Sequence, residues 1–159
     1  MRNMSDRLSS PGCEDASREL DGVRLMLGVH ESIRRLVNQR MLTSLGIPFS
    51  QGSALAHLAR GDTVSCQALA GWLGCGTSRL SRLVQDLESR ALVVRGRHGG
   101  DRRELALSLT PAGLAVAERI PAVLAQAGHA VLDRLSAHER AFLKQFLYRI
   151  VEEIDRKPG

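Results

Sequence analysis

Between Arg90 and Pro111 the apolar period of this chain shifts from 3.6 residues to 2 and then back again. Before the shift, Leu80, Leu83, Val84 and Leu87 recur at three- and four-residue steps, the signature of a helix with one buried side. After it, Leu92-Val93-Val94-Arg95 is short and β-branched. Leu105, Leu107 and Leu109 alternate with Ala106 and Ser108, the pattern of a half-buried strand. Between the two strands lies Gly96-Arg97-His98-Gly99-Gly100-Asp101-Arg102-Arg103, which reads as a Gly-rich, Arg-rich hairpin tip. The expectation is a mainly α chain with one small β-hairpin.

The helices around that hairpin follow from the same spacing. Leu20, Val23, Leu27, Ile33, Leu36, Val37 and Met41 mark a helix over Glu19 to Leu45, stopped by Gly46-Ile47-Pro48. Residues 1–15 show no period and read as a flexible tail. Three short helices come next. Ser50 is placed to cap one carrying Leu55 and Leu58. Ser65 is placed to cap a second, with Leu69, Trp72 and Leu73 on its buried side and Gly74 after it. A third starts near Gly76-Thr77. Beyond the hairpin, Thr110-Pro111 opens a long helix through Leu114, Ala117, Ile120, Leu124, Val131 and Leu132, which Pro121 should bend or interrupt. Ser136-Ala137-His138-Glu139 is a capping box. It opens a last helix with Phe142, Leu143, Phe146, Leu147, Ile150, Val151 and Ile154 on one stripe. Aromatic residues are few (three Phe, one Trp, one Tyr), so Leu and Ala must fill the core, which suits helices.

Three short helices followed by a two-stranded wing make a winged helix-turn-helix, expected over residues 47–110. The helical segments 16–46 and 111–157 expose more apolar stripe than one small winged domain can cover. They are expected to form a helical dimerisation lobe with a second copy of the chain.

Charge is concentrated where the wing is. Between Thr77 and Arg103 stand seven arginines and three acids, a balance of +4, whereas the whole 159-residue chain carries only +5. A patch of this kind implies a polyanionic partner, nucleic acid first. In a helix-turn-helix the second helix enters the major groove and its early residues meet base edges. Here those residues are Thr77, Ser78, Arg79, Ser81 and Arg82, hydroxyls interleaved with guanidinium groups. Arg can pair bidentately with guanine, while Ser and Thr contact bases or phosphate. Arg97, Arg102 and Arg103 at the hairpin tip suit a narrow minor groove. Asp101 can accept from the guanidinium of Arg103 and fix its direction.

The stretch Leu69 to Gly113 resembles the MarR family of dimeric bacterial transcription regulators. The likeness rests on Leu69-Ala70…Leu73-Gly74, on Ser78-Arg79-Leu80-Ser81-Arg82-Leu83-Val84…Leu87-Glu88, on the wing motif Asp101-Arg102-Arg103 and on Leu109-Thr110-Pro111-Ala112-Gly113. The resemblance implies a triangular homodimer whose recognition helices enter successive major grooves of a near-palindromic duplex, with Arg103 reaching into the minor groove. It also implies a repressor released by a small effector, often an aromatic acid, in a cleft that His30, Arg34, His57 and Trp72 have the chemistry to line. Two departures stand out. Ala91 occupies a position where the family usually has Gly, and Gly71-Trp72 one where charged residues are common.

The remaining expectations are exclusions and alternatives. No apolar run reaches the roughly 18 to 20 residues of a membrane span. The polar residues 1–13 lack the centre of a secretory signal, so a cytoplasmic address is expected. Cys13, Cys66 and Cys75 form no CxxC pair, which argues against a disulfide framework or a zinc knuckle. Cys75, beside an Arg-rich helix start, is a candidate oxidant sensor. His30, His57, His98, His129 and His138 show no metal-ligand spacing, and no cofactor is expected. No nucleophile motif, acid–base pair or phosphate loop indicates an enzyme. The alternatives are a winged-helix module for protein or RNA contacts, or a thiol-based redox-sensing regulator.

Overall fold

The computed structural model describes residues 11–61, 64–97 and 105–156. The wing tip, with His98, Asp101, Arg102 and Arg103, lies outside them, as do residues 1–10 of the expected tail. The chain divides into two compact units, Met1–Phe49 and Ser50–Gly159.

The first unit is one long helix, α1 (Pro11–Leu45). It starts well before Glu19, where the apolar pattern begins. Pro is well suited to the first helical position, and the acids Glu14 and Asp15 favour the positive end of a helix. Neither signal is apolar, so periodicity could not show this part of the helix. Leu20, Val23, Leu27 and Ile33 are exposed, whereas Val37 and Met41 are buried. On an exposed turn, Arg34 makes a two-pronged pair with Glu31 at 2.9 and 3.0 Å. That bond holds the Glu31 carboxyl below its ordinary pKa and raises the Arg34 guanidinium.

The second helix, α2 (Phe49–Leu58), begins two residues earlier than a Ser50 cap implies and is capped differently. Ser50 lies inside it. The donor freed at its start, Phe49 N–H, is accepted by Asn38 Oδ1 of α1 at 2.9 Å. A side chain eleven residues away has taken the role assigned to a local hydroxyl.

The second unit holds the winged helix. Strand β1 (Val64–Ser65) leads into α3 (Cys66–Leu73), whose start is capped by Ser65 Oγ accepting from Ala68 N–H at 3.2 Å. Helix α4 (Thr77–Ser89) follows, then strands β2 (Val93–Arg97) and β3 (Leu105–Leu109). The sheet runs β1-β3-β2 with both pairs antiparallel. Val93 lies opposite Leu109, Arg95 opposite Leu107, and Arg97 opposite Leu105. β1 went unread in the sequence because two residues are too few to alternate. Leu55, Leu58, Leu69, Leu80, Val84, Leu87, Val93 and Leu107 form the buried centre. Each such side chain contributes about 1.5–3 kcal/mol of burial.

Helices α3 and α4 end in the same turn built from different residues. After α3, Gly74 sits at φ 59° and its N–H donates to Gly71, while Cys75 N–H reaches Ala70 O at 3.1 Å. After α4, Ala91 sits at φ 55°, with Ala91 N–H on Glu88 O at 2.8 Å and Leu92 N–H on Leu87 O at 2.9 Å. Both are left-handed caps closed by paired backbone bonds. The Cβ of Ala91 therefore does not change the turn; it makes the same turn costlier.

Helix α5 (Pro111–Leu132) is anchored to that second turn. Thr110 Oγ1 donates to Ala91 O at 2.7 Å and accepts from Gly113 N–H at 2.9 Å, and Thr110 N–H donates to Leu92 O at 3.1 Å. Gly113 packs so closely that a Cβ there would lie 1.9 Å from the Leu92 carbonyl oxygen. This approach decides which side of α5 faces the core. Gly113, Ala117, Ile120, Val123 and Ala127 are buried, whereas Leu114, Leu124 and Val131, expected on the core stripe, are exposed. Pro121 does not interrupt the helix. Its missing N–H leaves the Ala117 carbonyl without its usual donor, and the burial of Ile120 and Val123 on either side offsets that loss.

Helix α6 (Ala137–Arg156) opens on the expected capping box. Ser136 N–H and Oγ donate to Glu139 Oε2, both at 2.8 Å, and Glu139 N–H donates back to Ser136 Oγ. The two bonds from Ser136 hold the Glu139 carboxyl below its ordinary pKa. No residue of α6 is buried.

Candidate nucleic-acid interface

α4 has the two faces its sequence required. Leu80, Leu83, Val84 and Leu87 are buried, and Thr77, Ser78, Arg79, Ser81, Arg82 and Gln85 are exposed. At 100° per residue, Ser78, Arg82 and Gln85 occupy the middle of the exposed arc and Arg79 its edge. Gly76 provides no side-chain cap, and the first turn carries no acid. No acid of its own first turn neutralises the positive end of the helix, as suits an anion-facing helix start.

The wing contributes a residue that sequence reasoning left out of the site. Arg95 shares a side of β2 with Val93, which is buried, so its stem runs toward α4 rather than outward. Its Nε lies 3.1 Å from Glu88 Oε2, with both side chains about one-third exposed, 35% and 32%. With Cys66, Gln67 and Ala70 of α3 and Thr77, Leu80, Ser81 and Val84 of α4, Arg95 lines a groove of about 460 Å³. The two-residue alternation of β2 was the available signal, since it puts Arg95 and Val93 on one side. Arg97 ends β2 opposite Leu105, so its backbone leads directly into the tip.

His57 and Trp72 stack at 4.3 Å between ring centroids, 25° from parallel. Trp72 is 49% exposed, while His57 Nδ1 is buried without a hydrogen-bond partner. His30 and Arg34 belong to α1, where both are exposed and Arg34 is held by Glu31. Cys66 and Cys75 are partly exposed free thiols, and it is Cys66, not Cys75, that lines the α3–α4 groove. Among the described residues no group of His, Cys, Asp and Glu is arranged to hold a metal ion, and no helix is long and apolar enough to cross a membrane.

A family model described as MarR family matches residues 45–104, from the last residue of α1 to the residue before β3. That segment is similar to the winged helix of the MarR family. Similarity extends past the matched segment. The chain is 27% identical over 138 residues to a "Putative transcriptional regulatory protein for hcr operon" of Thauera aromatica, covering 87% of this chain and 82% of that one. It superposes on the reduced form of MarR from E. coli with a TM-score of 0.74 at 26% identity, over 80% of this chain and 93% of the other. A mutant of the same E. coli MarR, complexed with operator DNA, gives 0.70 at 26% identity over 80% and 91%. The fold is therefore the one seen in MarR transcriptional regulators.

Proposed function

We propose that this chain is a homodimeric transcriptional regulator that binds a near-palindromic duplex and represses the genes beside it. The observation carrying the reading is the split of α4: four buried apolar residues fix the helix, and the opposite side offers Thr77, Ser78, Arg79, Ser81 and Arg82 to solvent. Arg79 and Arg82 pair with guanine edges in the major groove, while Thr77, Ser78 and Ser81 contact bases or phosphate. Arg97, Arg102 and Arg103 extend the contact into the minor groove, with Asp101 directing Arg103. The likeness to a MarR bound to operator DNA supports the same partner here.

Two further parts of the reading concern assembly and control. The helical segments 16–46 and 111–157 form the dimerisation lobe, supported by the exposed apolar side of α6. A small aromatic or acidic effector releases the duplex by favouring a spacing of the two recognition helices that DNA does not match. His30, Arg34, His57 and Trp72 are its contacts. The stacked His57–Trp72 pair, with an orphan imidazole nitrogen beside an exposed indole, is the part of that set with the clearest ligand chemistry.

Selection of bound sequences from random duplex DNA tests the reading. A single winning site with two-fold symmetry is the expected result. Equal capture of all sequences would turn the reading toward a winged-helix module for protein or RNA contacts.

A further inference from the structure

Resting on the DNA-binding reading above, we infer that Arg95 is a specificity-determining contact and that Glu88 is its positioning residue. Thr77, Ser81, Val84 and Glu88 are separated by four, three and four residues, so they lie along one strip of α4. That strip forms the border between the buried side and the exposed side. Arg95 crosses from β2 onto it. Its Nε lies 3.1 Å from Glu88 Oε2 at the far end of the strip, an ion pair, and its side chain lines the groove beside Ser81 and Thr77 at the near end.

The chemistry of the pair decides its role. A guanidinium has five donors in a rigid fork, and Nε is only one of them. When a carboxylate takes Nε, the plane and direction of the terminal nitrogens are set while their donors stay directed past the pair. About two-thirds of each side chain is withdrawn from water, which limits the rotamers Arg95 can visit and reduces the ordering entropy lost on binding. Arg95 shares its groove with Ser81, a residue of the proposed reading face. A lysine could supply the charge but not the fixed fork.

Glu88 also opposes a polyanion, because it adds a negative charge close to the duplex. An acid serving no purpose there would weaken all DNA equally. A positioning acid weakens unspecific binding and strengthens the matched site, so only the positioning role predicts a change in the ratio of affinities.

The test uses the full chain with the duplex recovered by selection and a scrambled duplex of equal length, each titrated over a range of salt. Glu88→Gln is expected to tighten scrambled DNA and lower the matched-to-scrambled ratio by about 2- to 10-fold, the usual size of coupling between contacting residues. Arg95→Ala should lower the same ratio and flatten the salt slope by roughly 0.9 if it meets one phosphate. Arg95→Lys should keep the slope and lose the ratio. In the Arg95→Ala background, Glu88→Gln should no longer lower the ratio. An unchanged ratio in Glu88→Gln, or a fall that persists without Arg95, overturns the inference. Melting curves of each variant separate such outcomes from loss of fold. Absence of any duplex preference in the wild type would instead overturn the DNA reading itself, a result that does not depend on either residue.

Discussion

α4 and α6 both segregate apolar from polar side chains along one helix, yet they end in opposite states. α4 gives up its apolar side to the chain's own core, with Val84 and Leu87 each 1% exposed. α6 gives up none, and Phe146 and Ile154 remain 52% and 66% exposed. An apolar stripe in a sequence thus states that something must cover it and is silent on what does. For α4 the cover includes α3 and β2. For α6 the apolar arc from Phe142 to Ile154 spans about half the circumference, far more than a solvated helix tolerates. A second copy of the chain is the occupant the proposed dimer assigns to it.

Four variants sharpen that contrast, and the largest effect belongs to α6. Phe146→Glu combined with Ile150→Glu should leave the winged helix folded and weaken self-association by about 2–4 kcal/mol per anchor lost. Sedimentation should show a shift from dimer to monomer, and an unchanged dimer would remove α6 from the interface. On the self-covered side, Gly113→Ala forces a methyl group against the Leu92 carbonyl. The expected cost is about 1–3 kcal/mol, read as a lower melting temperature. Ala91→Gly should act in the other direction and stabilise by roughly 1 kcal/mol, because a Cβ is unfavourable at φ 55°. A melting temperature below wild type would mean that the methyl group makes contacts worth more than the backbone cost.

The smallest effect is the capping box of α6. Glu139 has its carboxyl pKa lowered by Ser136, so its contribution is complete above the ordinary carboxylate pKa and is lost as pH falls through the lowered value. Thermal melts between about pH 5 and pH 3 should show less acid-induced loss in Glu139→Gln than in wild type. Equal losses would show that the box adds nothing in its charged form.

What could be read from the sequence was local. The caps at Ser65, Thr110 and Ser136 lie within three residues of the N–H groups they serve, and the α4 faces follow from one helical period. What could not be read depended on chain segments brought together from a distance. Asn38 caps α2 from eleven residues away. Gly113 sets the orientation of α5 through a carbonyl twenty-one residues earlier, so Leu114 and Leu124 looked as fit for the core as Val123. The exposed side of α4 was visible for the same local reason as the caps. Arg95 was not, because its meaning depends on Glu88 across the turn.

The central claim is that the exposed side of α4 reads base sequence, and Arg82 stands near the middle of that side. The direct measurement is the affinity of wild type and Arg82→Ala for the selected duplex and for its scrambled counterpart at fixed salt. The expected result is a ratio reduced by about 1–3 kcal/mol, with scrambled DNA bound nearly as well as before. A ratio equal to that of wild type would contradict it.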